Sequence, residues 1–144
     1  MKMHLIYPSW PKLERQREFH LPPHGPVVFA AEVPEEVEIV FTDESLEEVS
    51  FDPDADLAAF SVMLTCQLPR AFELADAYRS MGVPVIFGGI GAMLHAEEAA
   101  GHADSVFLGE VEGRFARVLE DLRAGRLQPV YDHLGDLPDI RRVG

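Results

Sequence analysis

At 144 residues the chain has the length of one domain, and 47% hydrophobic residues supply an ordinary single core. Twenty-five Asp and Glu against 12 Lys and Arg leave a formal charge of -13, which repels phosphate backbones and argues against a nucleic-acid partner. No apolar run approaches the roughly 18 residues of a membrane span, and with Cys66 as the single cysteine the chain forms no internal disulfide and no cysteine-based zinc or iron–sulfur site.

Residues 3–7 are a short apolar run with no small-residue cleavage site behind it, so they read as a first strand and not as a signal peptide. Residues 26–33 suggest a helix, and the β-branched run at 37–42 a second strand. The acidic stretch surrounding that run reads mostly as a solvated edge and is assigned no site. Leu57–Ser61 is the third strand. The clearest helix follows at 68–81: Leu68, Ala71, Phe72, Ala75 and Tyr78 fall on one face, Pro69 suits the first turn and Gly82 the stop. A fourth strand is expected at 83–87, a weaker helix at 92–100, and a fifth strand at Ser105–Leu108. The last helix runs over 112–124, with Phe115, Val118, Leu119 and Leu122 on one side and Gly125 beyond; Glu110 and Glu112 fall near its positive end.

Strands alternating with helices predict a five-stranded, doubly wound parallel sheet with helices on both faces, a flavodoxin-like or Rossmann-like three-layer α/β/α fold. Ligands of such sheets sit outside the carboxyl ends of the strands. The loops there read YPSWP, SVMLTC, GGIGAM and GEVEG. They contain no Ser–His–Asp or Cys–His set, no GxGxxG fingerprint and no P-loop. Glycines, small hydroxyls and apolar side chains suit holding a large flat ligand against the backbone better than breaking bonds with protein groups. The absence of lysine beyond Lys2 and Lys12 speaks against a phospho-receiver domain, and YPSWP lacks the hydroxyl-rich first loop of a flavin site.

Three pieces taken together resemble a known family: Ser61-Val62-Met63-Leu64-Thr65 after strand three, Gly88-Gly89 after strand four, and Ala103-Asp104-Ser105-Val106-Phe107-Leu108-Gly109-Glu110-Val111-Glu112 around strand five. The set is similar to the cobalamin-binding (vitamin B12-binding) N-terminal domain of cobalamin-dependent radical SAM proteins. The resemblance spans nearly the whole chain and implies one domain over 1–144, with a core of 1–134 and the start of a linker at 135–144. It implies cobalamin as cofactor. Ser61 would bond the dimethylbenzimidazole, Gly88 and Gly89 would leave room for the nucleotide tail, and the loops carrying Ser9, Trp10, Met63, Leu64, Thr65, Ile90, Gly109 and Glu110 would meet the rest of the corrinoid.

By the same resemblance the partner is a radical SAM catalytic domain, in cis or in trans. S-adenosylmethionine and a 4Fe-4S cluster would belong to that domain, because the CxxxCxxC motif is absent here. The DxHxxG motif of methionine-synthase-type domains is also absent, so the implied cobalamin is base-off without a histidine ligand, and no metal-ligating residue is expected. Gly91 stands where relatives often carry histidine.

The six histidines show no metal spacing, and His20 and His24, separated by Pro22-Pro23, read as exposed loop residues. Trp10 is open to two readings, beneath the corrin or packed on the sheet end. Thr65 equally suits a helix cap. Cys66 reads as a buried small hydrophobe beside the pocket, and Met63, Met81 and Met93 as core. A cofactor-free docking domain of the same fold is the alternative, and a cytoplasmic setting is expected.

Overall fold

The computed structural model of the chain describes residues 1–17, 20–139 and 141; of the expected linker, residues 140 and 142–144 lie outside the described residues. The strands are β1 (Lys2–Tyr7), β2 (Glu38–Asp43), β3 (Leu57–Ser61), β4 (Val85–Gly88), β5 (Ser105–Leu108) and β6 (Val130–Asp132). They form one parallel sheet in the order β2-β1-β3-β4-β5-β6. The doubly wound α/β fold is therefore as expected, with six strands in place of five. The missed strand is three residues long, begins at the 47%-exposed Val130 just after Pro129, and pairs with β5 alone. So short an edge strand leaves almost no periodic signal.

The helices are α1 (Glu14–Arg17), α2 (His24–Glu32), α3 (Leu68–Ser80), α4 (Ile90–Leu94), α5 (Ala96–His102) and α6 (Phe115–Arg123), with a 3-10 turn at Thr65–Gln67. The expected helix over 92–100 is two helices, broken at His95, whose φ of -128° and ψ of 42° are not helical. The last helix starts three residues later than expected because Gly113 takes a φ of +69°, which α-helical backbone excludes. Glu110 and Glu112 are consequently loop residues.

Alternation along each strand sends side chains to two separate cores. On one face Ile6, Ala58, Phe60, Phe87 and Val106 pack under α3, α4 and α5, where Leu68, Ala71, Leu74, Ala75 and Tyr78 supply the predicted stripe. On the other, Met3, Leu5, Ala59, Ile86 and Phe107 lie under α2 and α6. Central β3 is buried on both faces, as its unbroken apolar run requires. Edge strand β2 is not: Val40 and Phe41 are each 40% exposed.

The acidic stretch around β2 is not uniformly solvated. Glu44 is nearly buried and holds Arg70 through Nη2 at 2.6 Å and Nε at 2.7 Å, while the Ser9 amide and hydroxyl both donate to it. Burial pushes its carboxyl up, but Arg70 and Ser9 outweigh that and hold it below the usual range. Three expectations about sulfur also fail. Cys66 is exposed, and Met63 and Met81 are each 39% exposed. Of Met63, Met81 and Met93, the last alone packs against a core, where its sulfur accepts the Gly109 N–H.

His4 is buried within β1. The Tyr78 hydroxyl accepts the Asp52 N–H at 3.1 Å and is hydrogen-bonded to His4 Nδ1, and His4 Nε2 is hydrogen-bonded to Thr42 Oγ1 at 2.9 Å. Burial lowers the imidazole pKa, which keeps the ring neutral.

Candidate functional site

The two faces differ at the carboxyl end of the sheet. Under α3 to α5 the core is closed. Under α2 and α6 a cleft of about 390 Å³ opens, inside the range of roughly 300–1,000 Å³ typical of small-molecule sites. Leu5, Ala59, Ile86 and Phe107 form its floor, Val28 and Phe29 of α2 one wall, and Phe115 of α6 the other.

Ser61 and Gly88 are register partners on β3 and β4, and the period of two places them on the same face as Ala59 and Ile86. Both line the cleft. Ser61 Oγ has no hydrogen-bond partner among the described residues. A Cβ at Gly88 would meet nothing within 4 Å. Across from them Gly25, near the start of α2, stands so close that its Cβ would lie 3.6 Å from Ser61 Oγ. Three small residues thus frame one open end of the cleft.

The neighbouring glycines have reasons inside the chain. Gly89 has a φ of +96°, and its Cβ would fall 2.4 Å from the Val62 carbonyl oxygen. Gly91 donates to that same carbonyl at 2.9 Å, and its own Cβ would stand 2.9 Å from Val62 Cγ1. A histidine there would collide with the β3 loop. Gly109 has a φ of +104°, and a Cβ there would fall 2.8 Å from the His133 backbone. Of these glycines, Gly88 alone is left without an internal need for its missing side chain.

Among the sequence-derived candidates, Ser61, Met63, Gly88, Gly89, Gly109 and Glu110 line the cleft. Leu64, on the loop after β3, and Ile90, at the start of α4, stand outside it, 39% and 55% exposed. Thr65 does not cap a helix with its side chain; its Oγ1 lies 3.3 Å from His95 Nε2. Ser9 is committed to Glu44. Trp10 packs edge-on against Tyr7, with Lys12 Nζ 4.2 Å above its ring, so its place is the sheet end and not the cleft.

Four contributors are not among the site residues expected from the sequence. His24 and Gly25 line the cleft from the start of α2, where the HGP sequence just after two prolines was the available signal. Gln67, fully buried, accepts the Met63 and Leu64 amides at 2.9 and 2.8 Å and donates to the Pro8 carbonyl at 2.7 Å. It ties the β1 and β3 loops together across the point where strand order reverses. Glu112 also lines the cleft, and its Oε2 is buried without a hydrogen-bond partner.

The lining is predominantly apolar. Its charged groups are the carboxylates of Glu110 and Glu112, with His24 at the margin and no Lys or Arg. A dianionic phosphate would find no cation there, which disfavours a flavin mononucleotide or a phosphorylated metabolite. No group of three or more His, Cys, Asp or Glu among the described residues could hold a metal ion, and no helix among them is long and apolar enough to cross a membrane.

No family model matches the chain. It is similar to the bacteriochlorophyllide d C-8(2)-methyltransferase of Chlorobaculum tepidum, 31% identical over 117 residues. The match covers 81% of this chain and 26% of the methyltransferase, so the chain corresponds to about a quarter of that enzyme's length. The similarity links this α/β domain to part of a methyltransferase.

Proposed function

We propose that the chain is the cobalamin-binding module of a radical SAM enzyme, holding the corrinoid base-off without a histidine ligand and presenting it to a separate catalytic barrel. The observation that carries this reading is the apolar cleft beside Ser61 and Gly88, where an unpartnered hydroxyl stands next to a position with no side chain and no internal reason to lack one. A benzimidazole needs both: flat apolar walls and one small group for its ring nitrogen.

In this reading Ser61 Oγ–H donates to the dimethylbenzimidazole nitrogen, Gly25 and Gly88 leave the passage open, and Phe29, Phe107 and Phe115 exclude water from it. Met63 and Leu64 on the loop after β3 and Ile90 at the start of α4, all exposed, offer apolar surface to the corrin. Gln67 keeps the first two from folding away by holding their amides. When bound, cobalamin supplies a cobalt centre able to carry a methyl group, and the protein contributes position and environment. The similarity to a methyltransferase supports methyl transfer as the reaction class, with S-adenosylmethionine and a 4Fe-4S cluster held by the partner domain. Leu94, 71% exposed beside Ile90 on α4, favours this rim as the face that meets the barrel.

The test is retention. The purified chain, mixed with hydroxocobalamin and desalted, keeps corrin absorbance in near-stoichiometric amount. Complete loss of colour at near-millimolar loading sinks the proposal and leaves a cofactor-free docking domain as the better account.

A further inference from the structure

The two edges of the sheet are guarded differently. At one side β6 is three residues long and follows Pro129, and a very short strand is a common way to blunt an edge. At the other, β2 is six residues long and pairs with β1 in unbroken register from Lys2 and Glu38 to Tyr7 and Asp43. It carries no proline, lysine or bulge. Its centre is apolar on both faces of the sheet: Val40 and Phe41 point to opposite sides and are each 40% exposed.

The backbone of that centre is open as well. The Glu38 N–H donates to the Met1 carbonyl at 2.9 Å and the Glu44 N–H to the Tyr7 carbonyl at 3.0 Å, so the even-numbered residues turn their peptide groups toward β1. Alternation turns the N–H and C=O groups of Ile39 and Phe41 the other way. Neither residue has another backbone partner among the described residues, and no described strand lies beyond β2. Asp43 closes the open stretch, because its carbonyl already receives the Leu46 N–H at 2.9 Å.

Charge selects the occupant. From residue 18 to residue 69 the sequence has twelve Asp and Glu and no Lys or Arg. Glu35 and Glu38 at one end of β2, and Glu47 and Glu48 beyond the other, are exposed. A second copy of this edge would bring the same carboxylates opposite in either orientation, which is destabilising. We propose that β2 is a strand-addition site for an extended basic segment of a partner protein. That segment has two consecutive apolar residues, one covering Val40 and the other Phe41, with Lys or Arg on both sides to meet the acids. The peptide groups of Ile39 and Phe41 supply the main-chain bonds that fix its register. The inference makes no use of the cleft, so it stands or falls apart from the cobalamin reading.

The experiment uses the full chain and a capped six-residue peptide of two lysines, isoleucine, valine and two lysines. It reads the Kd by fluorescence anisotropy at low and high salt, and the amide hydrogen exchange of Ile39 and Phe41 by NMR. The peptide is expected to bind, more weakly as salt rises, and to slow exchange at those two amides. Phe41→Pro removes an edge N–H that the sheet itself does not use, and should raise the Kd at least about tenfold while melting within a few degrees of wild type. Should that variant fail to fold, the same peptide N-methylated at alternate amides gives the same reading on wild type, with a similar loss expected. A peptide with glutamates for lysines should not bind. Binding that survives both Phe41→Pro and N-methylation, with no protection at Ile39 and Phe41, is diffuse attraction to an acidic surface and overturns the proposal. So does no binding at low salt, or a dimer of the chain alone that Phe41→Pro dissolves, which would make a second copy the occupant.

Discussion

Gly88 and Gly89 are adjacent, share one residue type and close the same strand, yet opposite faces of the molecule explain them. Gly89 turns toward the packed side, where the Val62 carbonyl leaves no room for a Cβ. Gly88 turns toward the cleft, where nothing stands within 4 Å. The contrast extends to the whole sheet: its α3–α5 side is filled to its end, and its α2–α6 side is closed only part of the way. Both faces carry a buried core, but only the α2–α6 face leaves a cleft at its carboxyl end.

The largest expected effect lies on the packed face. Phe87 is fully buried against Phe60 and Phe72, so Phe87→Ala should destabilise the fold by about 3–5 kcal/mol in urea unfolding; a loss under 1 kcal/mol would mean that this face is no better packed than the other. Gly89→Ala comes next. A non-glycine residue at φ +96° against a carbonyl should cost roughly 2–3 kcal/mol, and a neutral result would remove the distinction between the two glycines.

Acid supplies a third contrast, because the packed face carries the buried neutral His4. Its folded pKa lies below its unfolded value of about 6.5, so the unfolded chain binds the proton first. Stability should be full above pH 6.5 and should fall as the pH drops through the folded value. His4→Gln should flatten urea midpoints measured between pH 7.5 and 5; an unaltered slope would assign the acid response to other groups. The smallest effect has the opposite sign. Gly88→Ala should stabilise the chain by about 0.5 kcal/mol, since a methyl group there meets only open space.

The sequence made much of this visible, for reasons that differ by element. Leu57–Ser61 and Ser105–Leu108 were readable to the residue because central strands buried on both faces are unbroken apolar runs. Tyr78 and Leu68 announced the buried face of α3 by their spacing. Val130–Asp132 was hidden because an edge strand of three residues needs only one buried side chain, Tyr131. The GG pair flagged the site but could not say which glycine answered to the chain and which to space, since that depends on where Val62 folds back. Gln67 was invisible, and Glu112 read only as a helix-dipole residue, for a related reason: a polar residue in a loop or at a helix start reads as solvated until burial shows otherwise. Trp10 left two placements open in the sequence, and its contacts with Tyr7 and Lys12 favour the sheet end.

The central claim is that the space beside Gly88 is a ligand's and not a packing fault. Titrating hydroxocobalamin into wild type and Gly88→Leu, with the melting temperature of each recorded, tests it most directly. The account predicts a leucine variant that melts within a few degrees of wild type and binds at least about tenfold more weakly. A variant that folds equally well and binds with undiminished affinity would contradict it.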